Sequence, residues 1–331
     1  MASPLYLTLM AGPAVALPVP KPLIDALVSA EVTESATGRS GFQLTFTLAN
    51  DSVLETFFLL AASSPIPLLR VVLMVNFGGL PQIVVDGIVL HHEVVPDAMT
   101  GSSKLVVTGQ DLAALLDLVD FTGLPYPGMT PDLRVTTILA KYAAFGIIPE
   151  VIPVLIPDVE VPVVQTPSQK KTDLNYIQEL ARECGYVFYF VPGPAPGTSQ
   201  AYWGPQIRMG VPQQCLNVNL DSWTNVESLT FRYEPQTSVL PIGQAIMQGM
   251  ARAVQTSDVV TGEGSLDVLR YGQVLRARSL VGLRGAGLAF DGMYFVDSTT
   301  HHIKPGEYKQ NFVLKRNALV ANTPVVPSFP F

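Results

Sequence analysis

All four histidines of the chain occur in two adjacent pairs, which are the residues of this sequence that most directly suggest metal chemistry. The pairs are His91-His92 and His301-His302, and Glu93 or Asp97 could add a carboxylate to the first pair. A zinc site needs three or four convergent ligands. Because neighbouring residues of a strand point to opposite faces, one pair cannot easily chelate a metal. The pattern therefore favours a structural role for both pairs.

Other catalytic arrangements find little support. No serine lies in a Gly-x-Ser-x-Gly elbow, and the glycine-rich run 282–287 lacks the Gly-x-Gly-x-x-Gly spacing of a dinucleotide-binding loop. The acid pairs Asp117/Asp120 and Glu179/Glu183 could be imagined in glycoside cleavage, but they flank or oppose apolar stripes, where solvated or interfacial carboxylates are expected. We predict no catalytic residue, no cofactor and no metal site, and hence a protein that is not an enzyme.

Charged side chains are scarce in this chain. Of its 331 residues, 48% are hydrophobic and only 14% are charged. The most apolar run, Leu68–Phe77, contains Arg70 and is well below the roughly 20 residues that cross a bilayer. The apolar N-terminus has no basic residue before Lys21, which argues against a secretory signal. We therefore predict no membrane insertion and a surface that is extensively covered by partner proteins.

The charges that are present are distributed unevenly. Residues 1–165 hold 6 Lys/Arg and 15 Asp/Glu, whereas residues 166–331 hold 14 and 12. No dense basic patch with interleaved aromatic residues is present, so we predict no nucleic-acid binding. Five arginines lie in one stretch, from Arg252 to Arg284, which is either a partner-contact region or an ordinary solvated loop. The candidate contact residues are Arg270, Arg276, Arg278 and Arg284.

Hydrophobic periodicity predicts strands in the first third of the chain and a mixture of helices and strands in the rest. Phe42–Leu48 alternates between apolar and polar residues, which is typical of a strand with one buried face. Proline at the first helical position supports a helix at Thr130–Phe145, with Leu133 on its apolar side. The proline-rich stretch Pro149–Pro167 excludes helix and predicts an edge strand or a polyproline-like strap. Further predicted strands are Val71–Phe77, Gln82–His91, Lys104–Gly109, Asn217–Leu220, Val226–Tyr233, Val274–Ser279, Met293–Ser298 and Lys309–Leu314. Asp111–Leu118 and Pro241–Val254 are predicted short helices, and Thr256–Ser265 a polar loop.

The stretch Thr172–Phe190 carries the most local information. Thr172 can cap a helix through its hydroxyl, and Asp173 lies in the first turn, where the helix dipole favours an acid. Gly185 can end the helix in a left-handed conformation, and Tyr186 begins an aromatic strand. A helical stripe of apolar residues lies between these ends and comprises Leu174, Ile177, Leu180, Ala181 and Cys184.

Two segments, one in each half of the chain, are similar in sequence, and we call this similarity the echo. Val84–His92 resembles Phe295–His302, and each is followed by a turn and an alternating strand that begins at Lys104 or Lys309. The period is much longer than that of a solenoid repeat. The echo predicts duplication of one β-barrel, and hence a chain with two barrels.

The stretch Thr172–Phe190 begins with Thr172-Asp173 at the start of a helix that contains Leu180-Ala181. Three residues later it continues with Gly185-Tyr186 and an aromatic strand. This order resembles the one found in the hub proteins of phage tails and contractile injection systems. These are the late control protein D family and the hub portion of the valine-glycine-repeat (VgrG-like) spike proteins. Shorter likenesses lie at Asp86–Val89, Gly109–Leu112, Asn225–Leu229, Gly292–Val296, Gly306–Tyr308 and Phe312–Arg316.

The resemblance implies a mainly β fold with α insertions: two tail-tube-like β-barrels plus inserted helical segments. The expected divisions are a first barrel at 1–115, a helical insertion and strap at 116–165, and a second barrel at 166–331. Parts of 214–255 are expected either to return to the first barrel or to form a helical insertion.

The resemblance also implies a homotrimeric, pseudo-hexameric baseplate hub that connects the inner tube protein to a spike or needle protein and contacts baseplate wedge proteins. It would be assembled in the bacterial cytoplasm as part of a phage tail or injection particle. The spike proteins continue beyond the hub, so here the needle is expected to be a separate polypeptide. The C-terminal residues Pro327, Phe329 and Phe331 are either a peg for that partner or a frayed tail. The alternatives are a tail-associated cell-wall hydrolase and a tube or adaptor subunit.

Overall fold

The computed structural model describes residues 5–48, 68–77, 79–97, 102–154, 167–234 and 258–317. These residues are mainly in strands, with shorter helical segments, as the sequence predicts. The chain divides into two compact units. The first comprises Met1–Val32, Thr37–Gln206 and Ile303–Glu307, and the second comprises Thr33–Ala36, Ile207–His302 and Tyr308–Phe331. The sequence places divisions near residues 115 and 165, whereas the compact units change near residue 206.

Strands of the first unit form a sheet around an apolar core. They are β1 (Tyr6–Gly12), β2 (Leu17–Pro18), β3 (Leu27–Ser35, whose last three residues count with the second unit), β4 (Gly41–Leu48), β5 (Arg70–Phe77), β6 (Leu80–Asp97) and β7 (Ser102–Asp111). Their order is β3-β4-β7-β6-β5-β1-β2. The alternation predicted for β4 is confirmed, because Phe42, Leu44, Phe46 and Leu48 are buried and the residues between them are not.

Helices and a small sheet complete the first unit. The helices are α1 (Lys21–Asp25), α2 (Ala113–Leu116), α3 (Pro131–Ala140) and α4 (Asp173–Cys184), with a 3₁₀ turn at Ala143–Phe145. The small sheet has the order β8-β10-β9, from β8 (Ile147–Val151), β9 (Val187–Pro192) and β10 (Ser199–Gly204). Strand β8 confirms an edge strand for the first residues of the proline-rich stretch, while residues 155–166 lie outside the described part of the chain. Leu133 was expected on the apolar side of α3 but is exposed, because the buried face is formed by Arg134, Val135, Ile138 and Leu139.

The second unit is built from six strands and one short helix among its described residues. They are β11 (Gln213–Asn217), β12 (Val226–Tyr233), β13 (Val260–Asp267), α5 (Val268–Tyr271), β14 (Leu280–Arg284), β15 (Gly292–Lys304) and β16 (Glu307–Arg316). Strand β15 is hydrogen-bonded to β16 and to β14, β13 joins β16 to β12, and β11 lies parallel to β14.

Two sequence predictions in the second unit are wrong for physical reasons. Thr256–Ser265 was predicted as a loop from its glycines, but strand β13 begins at Val260. A Cβ at Gly264 would lie 2.7 Å from the ring of Phe312, so this glycine makes room for an aromatic side chain of the neighbouring strand.

Val274–Ser279 was predicted as a strand, but its backbone is irregular. The N–H and C=O groups of Leu275 bond to the Gln310 side chain instead of to a strand.

The start of strand β11 was also misplaced. The strand predicted at Asn217–Leu220 ends at Asn217, because Asn219 and Asp221 adopt positive φ angles of 52° and 48°. The helix predicted at Pro241–Val254 lies outside the described residues, as does Arg252.

The two units repeat one strand order. Numbered along the chain, β3 to β7 lie in the sheet order 1-2-5-4-3, and β12 to β16 lie in the same order. The echo segments at 84–92 and 295–302 fall on the fourth strand of each set, β6 and β15, followed by its neighbour β7 or β16. The predicted internal duplication is therefore visible in the topology. Among the described residues the pairings follow an open path, and no ring of strands closes.

Candidate functional site

Helix α4 forms as its sequence predicts. The Thr172 hydroxyl accepts a hydrogen bond from the backbone N–H of Asn175 at 3.4 Å, which caps the first turn. Gly185 ends the helix in the left-handed region, with φ at 69°. The predicted stripe is confirmed, because Leu174, Ile177, Leu180 and Ala181 are buried in the first unit's core. Tyr186 then packs edge-on against Trp203, with ring centroids 4.8 Å apart.

Asp173 has a role that the sequence reasoning missed. Its carboxylate is fully buried and accepts hydrogen bonds from Gln169 Nε2 at 2.7 Å and Tyr142 Oη at 2.8 Å. Lys141 Nζ lies 2.6 Å from the same carboxylate. Burial is the largest cause that raises the pKa of the Tyr142 hydroxyl, and the hydrogen bond to Asp173 and the charge of Asp173 raise it further. Asp173 thus joins the start of α4 to the chain after α3, in addition to any interaction with the helix dipole.

A second buried charge lies between two strands of the first unit. Arg70 on β5 makes a two-pronged ion pair with Asp86 on β6, with contacts of 2.7 Å and 2.6 Å. The remaining Arg70 nitrogen donates to the carbonyl oxygens of Ala14 and Phe145, and Ser199 Oγ donates to Asp86 at 2.8 Å. These contacts join Arg70 and Asp86 to the residues at 14, 145 and 199, so the group holds separate parts of the first unit together.

The predicted arginine group divides into two kinds of environment. Arg276 Nη1 donates to Glu34 Oε1 at 2.9 Å, and Arg278 donates to the carbonyl oxygen of Ser35. Arg270 is exposed at the end of α5, and Arg284 is partly buried at the end of β14. Their proposed contact with a partner stays a prediction, and the structure shows that two of the four also have internal partners. Pro327, Phe329 and Phe331 lie outside the described residues.

The two histidine pairs occupy different environments. His91 is exposed and His92 partly exposed on β6, while His301 on β15 is fully buried. Among the described residues no group of three or more potential ligands is arranged to hold a metal ion.

The surroundings of His301 fix its protonation. Gln310 Oε1 accepts from the backbone of Leu275, so Gln310 Nε2 is a donor, and it lies 3.3 Å from His301 Nδ1. Tyr308 Oη lies 2.7 Å from the same nitrogen, which is therefore an acceptor. The proton lies on Nε2, which is 3.9 Å from Glu34. Burial lowers the pKa of His301 to about 4.

The chain is similar in fold to several proteins of known structure. No family model and no curated protein sequence matches the chain. The tail protein from Neisseria meningitidis MC58 is similar with a TM-score of 0.65 and 14% identity, over 96% of this chain and 98% of that one. The 43 kDa tail protein of prophage MuSo2 from Shewanella oneidensis is similar with a TM-score of 0.62 and 15% identity, over 96% and 100%.

A chain of the Francisella PdpA-VgrG complex is similar with a TM-score of 0.62 and 9% identity, over 99% of this chain and 59% of that one. The chain therefore has a fold similar to that of these two tail proteins and of a component of the PdpA-VgrG complex. A shared fold does not by itself give a function. Among the described residues, no helix has the length and hydrophobicity needed to span a membrane.

Proposed function

We propose that this chain is a non-enzymatic structural hub of a phage tail or contractile injection particle. In this proposal it assembles in the bacterial cytoplasm as a homotrimer, and the trimer connects the inner tube protein to a spike or needle protein beside the baseplate wedge proteins.

The repeated strand order carries the proposal. Three chains that each contain two similar units present six similar units around one axis. Such a ring can match a six-fold tube on one side and a three-fold spike on the other. The names of the similar structures, two tail proteins and a PdpA-VgrG complex, support the same class of particle. Extensive burial between subunits would also account for a charged fraction of only 14%.

We further propose that each repeated sheet corresponds to one tail-tube-like barrel. The support is the common order of β3 to β7 and β12 to β16. A high-resolution map of the assembled ring tests this, because the outer strands of each sheet will either meet or stay apart.

Native mass spectrometry with cryo-electron microscopy tests the assembly, using the chain alone and co-expressed with its neighbouring spike protein. A particle of three times the chain mass of 35.6 kDa with three-fold symmetry is expected. A six-fold ring would favour a tube or adaptor subunit. Clearing of peptidoglycan in a zymogram would favour the hydrolase and contradict the non-enzymatic proposal.

A further inference from the structure

Two turns of the second unit lie together at the carboxyl ends of β11 and β14. These strands are parallel, with Asn217 paired to Arg284, so the segments that follow them emerge at the same edge. One segment forms the 3₁₀ turn Asp221–Trp223 and the other forms the loop 285–291. Asn219 Nδ2 donates to the carbonyl oxygen of Gly285 at 3.4 Å, which joins the turns directly.

Each turn presents one large apolar side chain to solvent. Trp223 is 70% exposed and Leu288 is 85% exposed, and we call this pair the apolar knob. The other tryptophan of the chain, Trp203, is completely buried. Single exposed apolar residues are common on protein surfaces, so exposure alone does not indicate a binding site. The two turns that carry this pair are each held by several hydrogen bonds.

The loop that carries Leu288 is held by buried groups. Arg316 donates to the carbonyl oxygens of Ala289 at 2.7 Å and Asp291 at 3.0 Å. The Asp291 carboxylate accepts from the backbone N–H of Ala286 at 2.8 Å. Phe290 stacks on Phe231 with centroids 4.5 Å apart. A buried guanidinium is therefore committed to holding the shape of one short loop whose tip is an exposed leucine.

The turn that carries Trp223 is held by hydrogen bonds within the turn itself. Thr224 Oγ1 accepts from the backbone N–H of Leu220 at 2.9 Å, and Trp223 N–H donates to the Leu220 carbonyl at 3.0 Å. Gly285 has a φ of 86°, and a Cβ there would collide with the carbonyl oxygen of Val218, so the two turns pack without space between them. Apolar side chains on pre-ordered backbone lose little entropy on binding, and tryptophan is enriched among residues that dominate interfaces.

The net charges of the two units favour contact between unlike units of neighbouring copies. The first unit holds 10 Lys/Arg and 18 Asp/Glu, a net charge of −8, whereas the second holds 10 and 9, a net charge of +1. Repulsion disfavours contact between two first units, while a contact of unlike units carries no such penalty. Contacts between unlike surfaces can close into a ring.

The β1–β2 region of the first unit matches the knob in character. No charged residue precedes Lys21, so desolvating this region strips water from no ion. Tyr6, Val15 and Leu17 are each more than 60% exposed, and Arg70 holds the intervening turn through the Ala14 carbonyl. By contrast, the exposed pair Leu118 and Val119 lies beside acids at 117 and 120.

We propose that Trp223 and Leu288 dock on the uncharged β1–β2 region of a neighbouring copy of this chain. This inference rests on the proposed self-assembly and identifies the surfaces that make it.

Photo-crosslinking tests the contact in the full chain. A benzophenone amino acid is placed at position 288, and chains labelled with ¹⁴N and ¹⁵N are mixed before irradiation. Crosslinks between light and heavy chains that map to residues 5–20 are expected. Crosslinks confined to one chain, or mapping elsewhere, would overturn the proposal.

Assembly of charged variants gives an independent test. Leu288→Glu and Trp223→Glu should each weaken self-association at least tenfold in sedimentation experiments while keeping the wild-type melting temperature. Leu133→Glu is the matched control, because it places the same charge on another exposed leucine and should leave the mass unchanged. Knob variants that still assemble into wild-type trimers would overturn this inference and leave the hub proposal intact. Six-fold rings that the variants disrupt would overturn the hub proposal alone, and a monomeric wild type would overturn both.

Discussion

At the scale of single residues, the unusual chemistry of the first unit is structural. Arg70 and Asp86 are almost completely buried, and each has further hydrogen bonds to protein atoms. Removing one partner of such a pair leaves an uncompensated buried charge, which costs about 3–5 kcal/mol. We therefore expect Arg70→Met to lower the free energy of unfolding by about that amount, measured by urea titration with Trp203 fluorescence.

The exposed pair Arg232 and Glu234 gives the control. Their side chains are both more than 70% exposed, so Arg232→Met should cost less than about 1 kcal/mol. The double variant Arg70→Met with Asp86→Leu should be more stable than Arg70→Met alone, since it leaves no unpaired charge. A single variant as stable as the wild type would contradict the assigned role of the pair.

His301 makes the second unit sensitive to acid. Its pKa falls from 6.5 to about 4 on folding, because burial disfavours the charged ring. Between these values the unfolded chain binds a proton that the folded chain does not. The contribution to stability is therefore complete above pH 6.5 and is lost as the pH falls toward 4, by on the order of 3 kcal/mol. Urea midpoints at pH 7, 6 and 5 should fall accordingly.

Two variants isolate the contribution of His301. His301→Gln should reduce the slope of stability against pH between 6.5 and 4.5, whatever its stability at pH 7. His302→Gln changes the neighbouring, partly exposed ring, which is the smallest of the four causes acting on the pKa of His301, so it should change the slope less than His301→Gln does. Burial raises the pKa of Glu34, but the charges of Arg276, His301 and Arg278, with a hydrogen bond from Arg276, outweigh burial and hold that pKa below its usual value of 4.5. Glu34 therefore acts at lower pH, and an unchanged slope in His301→Gln would show that other groups cause the acid sensitivity.

At the scale of elements, helix α4 carries the strongest prediction. Leu180 is buried in the first unit's core, so Leu180→Asp places a charge without a partner among apolar side chains, which costs several kcal/mol. We expect this variant to yield no soluble folded protein. Glu183→Asp changes an exposed acid on the same helix and should keep wild-type yield and melting. A normally folded Leu180→Asp would contradict the packing of the helix.

The elements that could be predicted are those whose signals are local. The cap at Thr172, the apolar stripe and the stop at Gly185 lie within one short stretch, so the helix was found. Strand β13 was missed because its Gly264 serves the ring of Phe312, which is distant in sequence. The Arg70–Asp86 pair was missed for the same reason. The indication of this pair in the sequence was one basic residue in one apolar strand and one acidic residue in the next.

At the scale of the whole molecule, the two units repeat one strand order, which is what the proposed three-chain ring with six similar units would need. The order 1-2-5-4-3 recurs in both units although their sequences share only a short echo. The fold therefore preserves strand order more strongly than side-chain identity, which agrees with the low identities to proteins of similar fold. Surfaces are free to differ between the units, as their net charges of −8 and +1 show. In the proposed ring, that difference would permit the contacts between unlike units that closure needs.

The two tryptophans allow assembly and folding to be followed separately. Trp203 lies in the core of the first unit and Trp223 lies exposed on the second. In a Trp203→Phe chain, emission comes from Trp223 alone, so it should be red-shifted when dilute and move to the blue as concentration raises the oligomer fraction. In a Trp223→Phe chain, Trp203 emission should be blue at every concentration and shift only on unfolding. If Trp223 emission stays red in particles that are trimeric by mass, the trimer contact excludes the knob, and another surface must hold the ring together.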